Sequence, residues 1–350
     1  MMRVVIRVNG RGNAWPLELG ASGARHRSHK CSAFEYANTS LSILGYASKD
    51  DIEPTWEVLF DVGQGVVPFL IQNGNRLPDA VLISHPHYDH VAGLDWLGAS
   101  HRRNKRDQAN LPIFATTPCW AEVAGRFPWL NADFALTELV FRQKTNIAVA
   151  PGLSVTAFPV FHGAFAPGAC LMLLEYAEGS SQAKAILSGD LLTPLIEPSD
   201  YDLLSGAAVA YVDTNTRFPS PRTGHWSITE KASKSAADPN PLKTWFGRQD
   251  IDRLLALHKG AQGFEELSES FKSSVNSLPD LCWSIDDFVM RAAPQSVALV
   301  HYSGYEDAKE HNEVILTDTE LLDWVSSEAS SKTVWRVPRV ADEFVLHNAA

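Results

Sequence analysis

Short apolar runs alternate with turn-forming residues along most of the chain. Val4–Val8, Leu41–Tyr46, Val58–Asp61, Ala80–Ser84 and Leu111–Ala115 predict strands, and so do Leu153–Phe161, Cys170–Tyr176, Ala185–Ser188 and Ala208–Asp213. Apolar residues at helical spacing predict helices over Val91–Gly98, Cys119–Ala124 and Ile228–Ser235. So many strands with helices between them imply sheets covered by helices rather than a helical bundle. From about Ala237 to Pro294 the strand signal stops. Pro239, Pro241 and Gly247 punctuate its start, Ile251–His258, Phe264–Phe271 and Ile285–Arg291 have helical patterns, and Trp245, Phe246 and Trp283 add aromatic surface. A strand pattern returns at Ser296–Val300, so residues 237–294 read as a helical insertion within a single domain spanning 1–350. A helix over Thr319–Val325 and strands near Val334 and Phe344 close the chain.

Composition narrows the class. The 350 residues are 45% hydrophobic and 20% charged, enough apolar content for a sizeable core and too much for a disordered chain. The apolar stretches fall short of a membrane span, and the opening MMRVVIRVNGRG lacks the apolar region of a signal peptide; the expectation is a soluble, cytoplasmic protein. A net charge of −11 disfavours a protein that coats long nucleic acid, and the basic group Arg102, Arg103, Lys105, Arg106 reads as a solvated loop. Cys31, Cys119, Cys170 and Cys282 form no CxxC pair, so neither a disulfide framework nor a cysteine zinc module is implied. A metal site must come from histidine and carboxylate.

The segment VLISHPHYDHVAGL supplies such residues. It sets His85, His87, Asp89 and His90 after a buried-type strand and before a helix, where a loop can turn several side chains inward together. Neutral imidazole and carboxylate are natural ligands of zinc and similar divalent ions. His85 and His87 alternate and can grip one ion; Asp89 and His90 follow at the helix start and can reach a neighbour. Three histidines and an aspartate in six residues at such a junction are a far stronger signal than a histidine-rich surface loop. His26, His29 and Cys31, by contrast, have no ligand-like spacing and read as a basic loop, and His101, His258, His311 and His347 read as surface or structural.

HxHxDH at this junction resembles the signature of the metallo-β-lactamase superfamily, whose fold is an α+β, four-layer αββα sandwich. The resemblance implies further ligands from later strand ends: His162 in FPVFHG, Asp190 in AILSGD and His301 in ALVHYSGYED. By that resemblance His85, His87 and His162 hold one metal, Asp89, His90 and His301 the other, and Asp190 bridges them. The implied cofactors are two divalent ions, zinc foremost, with manganese or iron as alternatives. Iron redox chemistry is disfavoured, because the oxygen-reducing relatives carry a glutamate where His87 stands.

Other segments resemble the ribonuclease Z and phosphodiesterase branch. VNGRGNAWP is similar to its first strand and glycine turn, and LFDVGQGVVPFLI to its FDxGEGTxxQ segment, with Asp61, Gly63 and Gly65 in place. That aspartate is expected to brace the histidine loop by hydrogen bonds, and the two glycines read equally as turn residues. GHWSITEKA resembles the branch's GHST segment, which makes His225 the implied general acid, and Asp213 in AYVDTNT stands where the branch carries a glutamate paired with that histidine. The long Gly/Pro-rich arm of transfer-RNA-processing members has no counterpart, and the stretch between His225 and His301 is longer than the branch normally has.

The function these residues imply is a metal-dependent hydrolase, foremost a two-metal phosphodiesterase that uses a metal-bound hydroxide on a small or cyclic nucleotide-like diester. Asp89 would accept or orient the nucleophile's proton and His225 would protonate the departing oxygen. The metals alone would equally suit a carboxylic ester, lactone or thioester, and a non-catalytic metal-binding scaffold is the third reading. The 237–294 stretch is expected either to cap the site or to form a homodimer contact, with a plain surface insertion as the alternative.

Overall fold

The computed structural model describes residues 2–14, 37–104, 109–163, 165–220, 223–234, 281–331 and 333–347. Two sheets account for the strands. The first is built from β1 (Arg3–Gly10), β2 (Ser40–Tyr46), β3 (Trp56–Phe60), β4 (Ala80–Leu82), β5 (Leu111–Ala115), β6 (Phe134–Glu138) and β15 (Glu343–His347), in the spatial order β15-β1-β2-β3-β4-β5-β6. The second contains β7 (Lys144–Asn146), β8 (Leu153–Phe161), β9 (Cys170–Glu178), β10 (Ser181–Leu187), β11 (Thr193–Pro194), β12 (Val209–Asp213), β13 (Ser296–Val300) and β14 (Val334–Arg336). Its order is β11-β8-β9-β10-β12-β13-β14, with β7 paired to β8.

Alternation along each strand decides which layer a side chain joins. Val4, Ile6, Leu41, Ile43, Val58, Phe60 and Leu82 of the first sheet share one buried cluster with Val155, Ala157, Met172, Leu174, Leu187 and Tyr211 of the second, so the sheets pack face to face. The intervening Leu59, Val81 and Ile113 point the other way. They meet Val66, Phe69 and Leu70 of α1 (Val66–Gln72), Leu94 and Leu97 of α3 (Leu94–Asn104) and Val123 of α4 (Thr117–Arg126). On the far side, Leu171, Leu173, Ile186, Ala210, Val297 and Leu299 meet Tyr201 and Leu204 of α5 (Pro198–Leu204), Phe288 and Val289 of α6 (Ile285–Ala292) and Leu321 and Val325 of α7 (Asp318–Glu328). The result is helix, sheet, sheet, helix: the α+β sandwich expected from the sequence.

Strands β3 to β6 run parallel, as do β10, β12, β13 and β14. Ligand sites of open α/β sheets collect beyond the carboxyl ends of such strands, and six residues of the site lie at or just past a strand end: Asp61 after β3, His85 after β4, His162 after β8, Asp190 after β10, His301 after β13, with Asp213 closing β12.

The structure departs from the sequence reading in three places. The described part of Ile228–Ser235 forms no helix; Ser227 instead bridges Thr216 and Ser284, and the Ile228 and Thr229 amides bond to Thr216 and Arg217 carbonyls. Trp226 and Ile228, two apart, are both buried under α6 in the second outer layer, a strand-like alternation in place of a helical stripe. Helices α1 and α5 and strands β6 and β7 had no clear signal: α1 is almost wholly apolar with Pro68 inside it, and β6 is mostly exposed. Arg102 and Arg103 lie in the last turn of α3, not in a loop, and Arg102 pairs with Asp133. Of the helices expected in 237–294, α6 is present; Ile251–His258 and Phe264–Phe271 lie outside the described residues, as do His26, His29 and Cys31. No helix among the described residues is long and apolar enough to cross a membrane.

Candidate metal centre

The histidine run forms the floor of the site. Beyond β4, His85 is fully buried, His87 caps the short helix α2 (Tyr88–Val91), and Asp89 and His90 lie within it. Asp61, in the left-handed region at φ 52°, turns its carboxylate under the loop. Its Oδ1 accepts the Ser84 amide at 2.8 Å, and its Oδ2 accepts the Ser84 hydroxyl at 2.6 Å and lies 2.7 Å from His90 Nδ1. A carboxylate behind Nδ1 keeps the proton there and leaves Nε2 to face the site. Gly63 admits no side chain, because a Cβ would collide with the Asp89 carbonyl and with Asn38. That close approach gives this glycine a role beyond turning the chain.

The second sheet supplies the wall. His162 donates from Nδ1 to the Gly224 carbonyl at 2.7 Å, so its Nε2 carries the lone pair, 3.0 Å from His87 Nδ1. His301 is also left-handed, at φ 69°, with its amide held by the Arg11 carbonyl at 2.8 Å. Backbone strain of this kind persists only where the surroundings over-determine it. At the centre is Asp190, with Oδ2 3.1 Å from His90 Nε2, 3.3 Å from His301 Nε2, 3.8 Å from both His85 Nε2 and His225 Nδ1, and 3.9 Å from His162 Nε2. His225 Nδ1 is 2.7 Å from Asp213 Oδ2, and the His225 side chain retains 13% exposure, against 0% for Asp213.

Burial and neighbouring charge sort these groups into neutral and charged. Burial pushes His85 well down and His162 to about 3, so both are neutral imidazoles with a free lone pair. Burial alone would raise Asp89 and Asp190, but the adjacent imidazoles outweigh it: His90 foremost for Asp89, His301 and His90 for Asp190. Both carboxyls are held well below the usual range. His301 and His225 rise against their own burial, His301 to about 10 through Asp190 and Asp213, His225 through Asp213 and then Asp190.

Neutral imidazoles beside ionised carboxylates are a donor set for divalent cations, and a bound cation takes the place of the proton that the carboxylates favour on His90 and His301. Two groups of donor atoms, His85, His87 and His162, and Asp89, His90, Asp190 and His301, each lie within 4.8 Å of one another. Buried His85 Nε2 and both ring nitrogens of His301 have no hydrogen-bond partner, a costly arrangement for polar atoms that no cation joins. The residues therefore fit divalent ions. A profile described as the beta-lactamase superfamily domain matches residues 56–244, more than half of the chain, and spans His85 through His225. The chain belongs to the metallo-β-lactamase superfamily.

Solved structures with the superfamily's fold resemble it over nearly the whole length. A diphosphatase of the PhnP family is 14% identical with a TM-score of 0.59, the alignment covering 99% of this chain and 98% of that one. The metallo-β-lactamase fold protein YhfI from Bacillus subtilis is 13% identical with a TM-score of 0.56, covering 98% and 99%. Unliganded yeast PDE1 is 11% identical with a TM-score of 0.54, covering 99% and 100%. At these identities the likeness concerns the fold. No curated protein matches the sequence. The fold implies divalent metals, and all nine residues singled out for the site (His85, His87, Asp89, His90, His162, Asp190, Asp213, His225 and His301) gather in this one place. The sequence reading passed over Ser84, which joins Asp61 to His85 through a 3.0 Å contact with His85 Nδ1, and the Gly224 carbonyl that orients His162. A serine between a buried strand and the first histidine was the available signal for the former.

Proposed function

We propose that the protein is a metal-dependent hydrolase, most specifically a two-metal phosphodiesterase acting on a small, nucleotide-like diester. The observation that carries this reading is the position of Asp190 Oδ2 between the two donor sets, within 3.9 Å of five imidazoles. In this reading His85, His87 and His162 would hold one ion and Asp89, His90 and His301 the other, with Asp190 available to both. Bound there, two divalent ions supply a water nucleophile at neutral pH and neutralise charge on a phosphoryl oxygen; zinc suits the imidazole-rich donors.

The remaining chemistry belongs to the chain. Asp89, ionised at the second donor set, orients or accepts the proton of the attacking water. Asp213 and then Asp190 raise His225 above the ordinary imidazole value against its burial, which favours the protonated form that an acid needs. With Nδ1 turned to Asp213, its Nε2–H is the proton that the leaving oxygen takes. Tyr88, between His87 and Asp89, and Phe165, three residues past His162, are 55% and 80% exposed, and such rings suit stacking on a planar base or aryl group. The net charge of −11 favours a small diester over a long nucleic acid.

The test is hydrolysis of two phosphodiesters by metal-loaded protein, one releasing nitrophenolate and one an alkoxide. His225→Ala is expected to slow alkoxide release by about 10²–10⁴-fold and nitrophenolate release far less, since that group departs without a proton. Equal losses on both would remove His225 as the acid. Turnover of lactones or thioesters but of neither diester would replace the phosphodiesterase reading with the ester one.

A further inference from the structure

Asp213 closes β12 opposite Val300 of β13, and this parallel register sets it beside His301, the next residue. Its two oxygens serve different rings. Oδ2 lies 2.7 Å from His225 Nδ1, while Oδ1 lies 3.2 Å from His301 Nδ1. Neither Oδ1 nor His301 Nδ1 makes a hydrogen bond in this structure, and both residues are buried, so the 3.2 Å ion-pair contact between them is the polar contact each has to use. The opposite nitrogen of His301, Nε2, faces Asp190 Oδ2 at 3.3 Å and Asp89 Oδ2 at 3.7 Å. Asp61 stands in the same relation to His90, behind Nδ1, with Nε2 directed at Asp190. The second donor set thus has two histidines, each backed by its own buried carboxylate.

We infer that Asp213 is a shared positioning residue, holding the metal-ligating nitrogen of His301 toward the second ion with one oxygen and orienting His225 with the other. An imidazole facing a carboxylate keeps its proton on that side and presents its lone pair on the other, which is the form that coordinates a cation. A carboxylate can accept from both rings at once; an amide can accept from one only. The Leu191 amide donates to Asp213 Oδ2 at 3.3 Å. In Asp213→Asn that donor selects the amide oxygen for the His225 side and turns the NH₂ toward His301 Nδ1. Nδ1 must then carry the lone pair, and the proton moves to Nε2, where it blocks coordination. The inference rests on the reading that Asp89, His90, Asp190 and His301 hold an ion, and is independent of which substrate is hydrolysed.

The test is a titration of chelator-stripped protein with zinc alone, with a competing chromophoric chelator resolving the two equivalents. In Asp213→Asn one equivalent is expected to weaken by about 10–100-fold, while the other stays within about twofold of wild type by the same reasoning. His225→Ala should leave both equivalents unchanged, because His225 is in neither donor set. Wild-type affinity for both ions in Asp213→Asn would overturn the inference, leaving Asp213 to His225 alone. Equal weakening of both would overturn it as well, by marking general damage to the site. A wild-type protein that takes up no second equivalent would refute it together with the two-metal reading. A protein that binds both ions yet hydrolyses no diester would refute the phosphodiesterase and leave Asp213's role intact.

Discussion

Asp190→Asn is expected to reduce hydrolytic turnover by roughly 10³-fold or more, because several kcal/mol of charge stabilisation depend on correctly held ions and each 1.36 kcal/mol is a factor of ten. The change is isosteric, so packing around Asp190, which is 3% exposed, is preserved. What disappears is the negative charge that faces His90, His301, His85, His162 and His225. An amide in that place has one acceptor oxygen and turns its NH₂ toward imidazole nitrogens whose lone pairs the site needs. Metal content should fall with activity. Steady-state kinetics on the metal-loaded variant, with metal content determined on the same sample, measures both. Full activity in Asp190→Asn would mean that the two donor sets do not act through this carboxylate.

The largest stability effect is expected away from the ligands, at Asp307. Its carboxylate accepts the Arg217 amide at 2.9 Å, Arg217 Nε at 2.8 Å and the Tyr302 hydroxyl at 2.9 Å. The two side chains are 3% and 0% exposed, so solvent screens the pair little. Arg217 also donates to the Val314 carbonyl at 2.8 Å and lies over the Trp324 ring. Removing one partner of such a pair strands a buried charge, and Asp307→Ala should lower unfolding free energy by about 3–5 kcal/mol, read from the denaturant midpoint at unchanged m-value. The site would feel this, since Arg217 leads into the segment carrying His225 and Tyr302 follows His301 directly. A loss below about 1 kcal/mol would indicate a solvent-screened pair.

How much of this could be read from the chain depends on how local each feature is. His85, His87, Asp89 and His90 stand in one run at a strand-to-helix junction, and their chemistry needs no knowledge of the rest of the fold. His162, Asp190 and His301 are single residues, visible only as strand-end residues in an order resembling the superfamily's. Asp213 was visible as a partner for His225, whereas its contact with His301 follows from the β12–β13 register, which no local pattern encodes. The helix expected over Ile228–Ser235 was lost for a related reason: the backbone there bonds to Thr216, Arg217 and Asp286, residues distant in sequence or across the site. Alternating apolar runs sufficed for the buried strands. Mostly exposed β6 and almost wholly apolar α1 carry no periodicity that separates strand from helix.

The central claim is that this pocket of histidines and aspartates holds two divalent ions, and counting them tests it most directly. Protein stripped with a chelator, re-exposed to zinc, freed of excess and analysed for metal per chain should carry two ions. His87→Ala and Asp89→Ala should each lower that count by affecting a different donor set. Wild-type protein that retains no zinc, or variants that retain as much as wild type, would contradict the account.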